Sequence, residues 1–172
     1  MAFKEQSDLQ LKAYFGDVQA QYELGLRHTR GEGVALDYTA AVSWLSKAAA
    51  AGLPEAQFVL GALYQNGQGV PRDTERAAHW YHLAAEKGHA AAQFNLGYCY
   101  ETGEGVPKGK DDAVLWYRLA ASQGDEDARA ALQELLGTPH SPQSLHELEQ
   151  LADTQLQSGG FETSRENLVP RA

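Results

Sequence analysis

Ala56-Gln57-Phe58-Val59-Leu60-Gly61, then Gly67-Gln68-Gly69-Val70-Pro71, then Trp80-Tyr81-His82-Leu83-Ala84-Ala85 and a closing Gly88 make one phrase that decides the fold. The phrase recurs at a spacing of 36 residues. Ala20, Ala56 and Ala92 keep that spacing, and Ala128 opens a fourth copy. So do Gly25, Gly61 and Gly97, the loop glycines 31/67/103 and 33/69/105, and Trp44, Trp80 and Trp116. A fixed period of this length without insertions signals a solenoid of repeated supersecondary units.

Within each unit the pattern reads helix A, loop, helix B. Ala20 and Leu24 are four apart and share a face of the first A helix. Gly25 and its equivalents cost about 1 kcal/mol each against alanine inside a helix. Their recurrence predicts a close helix approach that a Cβ would obstruct. The Gly-x-Gly-Val loop suits a helix end that turns through positive φ, with the valine returning to the core. A helix, not a strand, precedes it, so it is not read as a phosphate cradle. Asp37 and Asp73 are expected N-caps of helix B, with Gly109 a weaker one. Ala41/Trp44/Ala48 and its two copies form one stripe along helix B. Trp80 is therefore expected to lie largely buried between its own repeat and the next.

The reading divides the chain as follows. Residues 1–16 are an N-terminal capping helix from a degenerate repeat. Three repeats occupy 17–52, 53–88 and 89–124. Residues 125–157 hold a fourth A helix and a C-terminal capping helix, in which Leu145, Leu148, Ala152 and Leu156 line one face. Residues 158–172 are an expected disordered tail, and Leu168-Val169-Pro170-Arg171 has the form of a thrombin-cleavage linker. The fold class is all-α: an α-solenoid of antiparallel helix pairs.

Composition narrows the function. Net charge is −9: residues 1–16 balance, 17–124 carry −3 and 125–172 carry −6. No basic stripe meets phosphates, so neither nucleic acid nor an anionic membrane surface is an expected partner. No apolar run reaches the ~18 residues of a membrane span. The polar start lacks an apolar secretory core, which places the chain in the cytoplasm as written. Cys99 is the single cysteine, flanked by Tyr98 and Tyr100, and reads as a small buried hydrophobe.

Little chemistry is legible. His79 and His82 lie three apart, with His89 nearby, but no further ligand completes a zinc set. They read as exposed helix histidines, and no metal or cofactor is expected. Glu101 and Glu104 could pair as acid and base, yet charges at a helix end are usually solvated. The serines show no nucleophile elbow. No catalytic residue is assigned, and the chain is not expected to be an enzyme.

Ala-x-x-x-Leu-Gly, Gly-x-Gly-Val and Ala-x-x-Trp-x-x-x-Ala-Ala at this period resemble the Sel-1-like repeat family, a branch of the tetratricopeptide-like superfamily. Leu45 departs from Tyr81 and Tyr117, Ala35 from Pro71 and Pro107, and Gly109 from Asp37 and Asp73. The resemblance implies that the α-solenoid coils into a right-handed superhelix with a concave face lined mainly by A helices, and an adaptor or scaffold that binds a protein or peptide. By analogy with tetratricopeptide repeats, it nominates Arg30, Gln65, Asn66, Tyr98 and Glu101 as partner-binding residues. They vary between copies where core positions do not. Tyr22, Phe58 and Phe94 form a column read mainly as packing. The chain is expected to be a monomer. The alternatives are a self-assembling structural repeat protein and a hydrolase such as a weak β-lactamase. The family's cysteine-rich members suggest the latter, but their paired cysteines are missing here.

Overall fold

The computed structural model describes residues 2–137. Among them are eight helices and no strand: α1 (Ala2–Tyr14), α2 (Val18–Arg30), α3 (Tyr38–Ala50), α4 (Pro54–Asn66), α5 (Thr74–Glu86), α6 (Ala90–Thr102), α7 (Lys110–Ser122) and α8 (Glu126–Leu136). The chain is an α-solenoid in which each helix packs chiefly on its neighbours in sequence. The A helices are α2, α4, α6 and α8; the B helices are α3, α5 and α7, with α1 in the B register. The expected C-terminal capping helix and the tail lie outside the described residues.

The helix ends follow from local chemistry. The first backbone N–H groups of a helix lack partners, and a side-chain acceptor there stabilises it by roughly 1 kcal/mol. Asp17, Asp37, Asp73 and Asp125 each accept such a bond. Gly109 makes no side-chain cap, but Asp111 and Asp112 sit in the first turn of α7 where the helix dipole favours them. At Leu53 the cap is also missing, and Pro54 opens α4 instead, since its absent N–H needs no partner. The A helices stop at Gly31, Gly67, Gly103 and Gly137, all left-handed, with φ between 63° and 81°.

The core runs through the B helices at a position one residue beyond the tryptophans. Leu45, Tyr81 and Tyr117 are buried to within 1% of full. Each lies against the mid-helix glycine of its own repeat. A Cβ on Gly25, Gly61 or Gly97 would stand 2.6, 2.8 or 2.7 Å from Leu45, Tyr81 or Tyr117 respectively. The recurring glycine thus marks a close approach, as its spacing suggests.

The expected neighbours of Trp80 need correction. Trp44 and Trp80 are half-buried; only Trp116 is buried, at 5% exposure. Trp44 packs on the cluster of Ala13, Ala20 and Leu24, and Trp80 on that of Ala41, Leu45 and Leu60. Each cluster joins the A helix of the tryptophan's own repeat to the preceding B helix, so each tryptophan reaches toward the preceding repeat rather than the next. One residue is about 100° of helix, which turns the following side chain onto the A helix of its own repeat.

Three buried glutamines tie repeat to repeat. Gln21, Gln57 and Gln93 donate their amides to the carbonyls of Ala13, Ala49 and Ala85, all at 3.1 Å. Those carbonyls end the preceding B helices, where intrahelical donors run out. A 36-residue column of glutamines inside an otherwise apolar face was the available signal for this.

Candidate functional site

The five nominated residues fall at the C-terminal ends of successive A helices. Arg30 and Asn66 share one register position with Thr102. Gln65 and Glu101 share another with Thr29, and Tyr98 occupies that of Leu26 and Ala62. Arg30, Asn66 and Tyr98 are exposed, Tyr98 to 42%. Gln65 and Glu101 are half-buried.

The half-buried pair has an internal task. The Tyr81 hydroxyl donates to Gln65 Oε1 at 2.7 Å, and the Tyr117 hydroxyl donates to Glu101 Oε2 at 2.6 Å. A buried phenol without a partner costs more than the bond returns, so each tyrosine needs such an acceptor. The first repeat has Leu45 in place of the tyrosine, and Thr29 there turns its hydroxyl onto the Leu26 carbonyl at 2.7 Å. Variation at this position therefore follows what stands on helix B. The sequence carried that signal in the joint change from Leu45 with Thr29 to Tyr81 with Gln65 and Tyr117 with Glu101.

Burial pushes both tyrosines far above the usual phenol range. For Tyr81 the Cys99 thiol adds to this, while the Asn95 side chain, on the next A helix, reaches its hydroxyl and opposes it. For Tyr117 the hydrogen bond and charge of Glu101 add to burial. Both remain neutral donors. Cys99 is buried, and its thiol is pushed up to about 12 by burial first and then by Glu104, so it is a packing residue without thiolate character at neutral pH.

The aromatic column is packed yet not sealed. Phe58 lies 5.9 Å from the Tyr81 ring and Phe94 5.6 Å from that of Tyr117, centroid to centroid. Tyr22 is raised by burial and by Glu55, with Arg30 opposing, which sets Arg30 within electrostatic reach of its ring. Arg30 also stands 3.8 Å from Glu32, an exposed pair of little energetic weight.

The histidines are not the exposed residues that their spacing suggests. His79 is half-buried and its pKa is lowered by burial. His82 has a side chain only 13% exposed, 5.7 Å from the Trp116 ring. His89 caps α6: its Nδ1 accepts from the Ala92 N–H at 3.2 Å while the ring stacks on Phe58. Among the described residues no group of three His, Cys, Asp or Glu side chains could hold a metal ion. Nor is any of their helices long and apolar enough to cross a membrane.

The Sel1 repeat family model matches residues 18–53, 54–89 and 90–125. Among solved structures, a Sel1 repeat protein from Oxalobacter formigenes is 43% identical, with a TM-score of 0.70, over 76% of this chain and 98% of its own. A protective antigen of uropathogenic Escherichia coli strains, which displays an SLR fold, is 40% identical with a TM-score of 0.73. That match covers 74% of this chain and 27% of the antigen. The cysteine-rich protein B of Helicobacter pylori is 27% identical with a TM-score of 0.60, over 73% and 95% of the two chains. No curated protein matches the sequence.

Proposed function

Because the chain belongs to the Sel1 repeat family, we propose that it is a protein-interaction module that holds an extended segment of a partner along the ends of its A helices. Sel1 repeats are in general protein-interaction modules. The finer reading places the segment across Arg30, Gln65, Asn66, Tyr98 and Glu101. One observation carries it: Tyr98, a large amphipathic side chain, stands 42% exposed beside amide and carboxylate groups at the same helix ends. Aromatic anchors flanked by hydrogen-bonding groups are what interfaces use. The amides of Asn66 and Gln65 suit the unpaired backbone of an extended peptide. In this reading the chain acts as a monomeric adaptor or scaffold, without nucleic acid, cofactor or catalysis.

The test is the double variant Asn66→Ala/Tyr98→Ala. Neither residue is buried, so melting should not shift. A partner captured with the wild-type chain should bind the variant at least tenfold more weakly, about 1.4 kcal/mol. Undiminished binding would move the interface to the loops or to the C-terminal segment.

A second reading, self-assembly, is favoured by the far end of the stack. Leu11, Tyr14 and Phe15 are exposed to 55%, 77% and 81%. Apolar side chains grouped this way mark contact surfaces. Mass measured at two concentrations separates the readings, since reversible growth abolished by Tyr14→Ser/Phe15→Ser would favour assembly.

A further inference from the structure

We infer that the third repeat selects a partner segment carrying a lysine or arginine side chain, with Tyr98 as its platform and Glu101 as its counter-charge. The inference rests on the groove-binding reading above and adds the chemistry of the occupant.

The starting point is a charge that packing does not require. Glu101 Oε2 accepts the Tyr117 hydroxyl at 2.6 Å. Gln65 performs the same task for Tyr81 at 2.7 Å with a neutral amide. The fold therefore needs an acceptor at this register position and is indifferent to its charge. A half-buried carboxylate still loses hydration relative to an amide, so its presence points to something outside the packing.

Within the described residues it has no ion-pair partner among the lysines, arginines or histidines. The neighbouring carboxylate is already engaged: Glu104 faces Arg72 at 3.4 Å. Glu101 is also held in place, since the Tyr117 bond fixes one oxygen and leaves Oε1 for a ligand. A carboxylate positioned in advance spends little entropy on binding a cation.

Tyr98 completes the chemistry. It is three residues before Glu101 on α6, so the two share a face. Its register equivalents are Leu26 and Ala62, so the third repeat alone joins an aromatic ring to a carboxylate. A ring face attracts an ammonium or guanidinium, and a carboxylate makes its strongest hydrogen bonds to the same groups. The net charge of −9 draws such a segment in. The amides of the second repeat offer no comparable preference, so selection for a cation belongs to the third.

Random dodecapeptides displayed on phage, selected on the wild-type chain, test this. The selected peptides should share one basic position. A synthetic copy of the best should bind Glu101→Gln at least tenfold more weakly, with melting unchanged because glutamine accepts the Tyr117 hydroxyl as Gln65 does for Tyr81. Replacing the peptide's basic residue by glutamine should cost the wild type the same factor and cost the variant nothing more. Should Glu101→Gln shift melting, the reverse exchange decides. The double exchange Ala62→Tyr/Gln65→Glu, which gives the second repeat both platform and counter-charge, should then select peptides with a second basic position, and its failure to do so overturns the inference. Peptides that bind without a basic position, or bind Glu101→Gln equally well, overturn the inference and leave groove binding standing. If no selected peptide binds better than its scrambled sequence, groove binding itself fails and this inference with it.

Discussion

A Cβ on Gly61 would lie 2.8 Å from the ring carbons of Tyr81 and 3.2 Å from the Ala77 carbonyl. The glycine and the tyrosine are thus a single fit, with the ring lying where a side chain would otherwise be. Half of this was legible in the sequence, because glycine recurring inside a helix needs a reason and close approach is the usual one. Its partner was not legible. Trp and Tyr stand side by side at 80 and 81, and choosing which one faces the A helix needs the rotation of helix B, which a stripe of small residues leaves open by one position. The consequence is measurable. Tyr81 is fully buried and hydrogen-bonded, so Tyr81→Ala should cost about 3–5 kcal/mol, the range for truncated core aromatics. Half-buried Trp80→Ala should cost clearly less. Denaturant unfolding of the two variants checks the order, and a larger loss at Trp80 would mean that the seam between repeats, not the glycine fit, holds the stack.

Helices α2 to α7 are all thirteen residues long, and their ends are set by chemistry that reads well in sequence where it uses aspartate or glycine. The start of α6 is the exception. His89 occupies the register of Asp17, Leu53 and Asp125, and nothing in a histidine's identity says whether Nδ1 will accept a backbone N–H. Here it does, and that role requires the neutral ring. Burial lowers the His89 pKa below its ordinary 6.5, outweighing the nearby Glu55. The unfolded chain therefore takes up a proton at a higher pH than the folded one. By linkage, the stabilisation from this cap is complete above about pH 6.5 and is lost as pH falls through the lowered folded value. His79, also lowered by burial, acts in the same direction. His89→Asn keeps a cap acceptor and removes the titration. Denaturant midpoints at pH 7.5 and 5.5 should differ less in the variant than in the wild type, with His79 contributing to the remainder. An equal difference in both would show that the cap is not the pH-sensitive element.

Across the whole molecule the repeats look equal in sequence and are unequal in core. Among the residues whose burial is described, the cluster spanning α5 to α8 gathers eighteen, that of α3 and α4 seven, and that of α1 and α2 three. Two substitutions explain much of the gradient. Leu45 stands where Tyr81 and Tyr117 stand, giving up a ring and its hydrogen bond. His28 stands where Tyr64 and Tyr100 stand, and beside it a groove of about 510 Å³ opens between Leu11, Tyr14, Leu24 and Trp44. The sequence reading singled out Leu45 but not His28, and the joint effect of the two needed the structure, where both fall on one end of the stack. For the proposed binding stripe the sequence offered only register positions, whereas the demand of Tyr81 and Tyr117 for Gln65 and Glu101 could not be weighed without the distances. In a solenoid, stability is approximately a sum of repeat terms and nearest-neighbour interfaces, so uneven cores become uneven local opening. Backbone amides of α2 and α3 should therefore exchange with deuterium before those of α6 and α7 under native conditions. The ordering puts the stiffest part of the stack around Tyr98 and Glu101, where the proposed groove would gain most from rigidity. Uniform protection along the chain would mean that the interfaces couple the repeats into one unit despite their cores, and earlier exchange in α6 and α7 would overturn the assigned gradient.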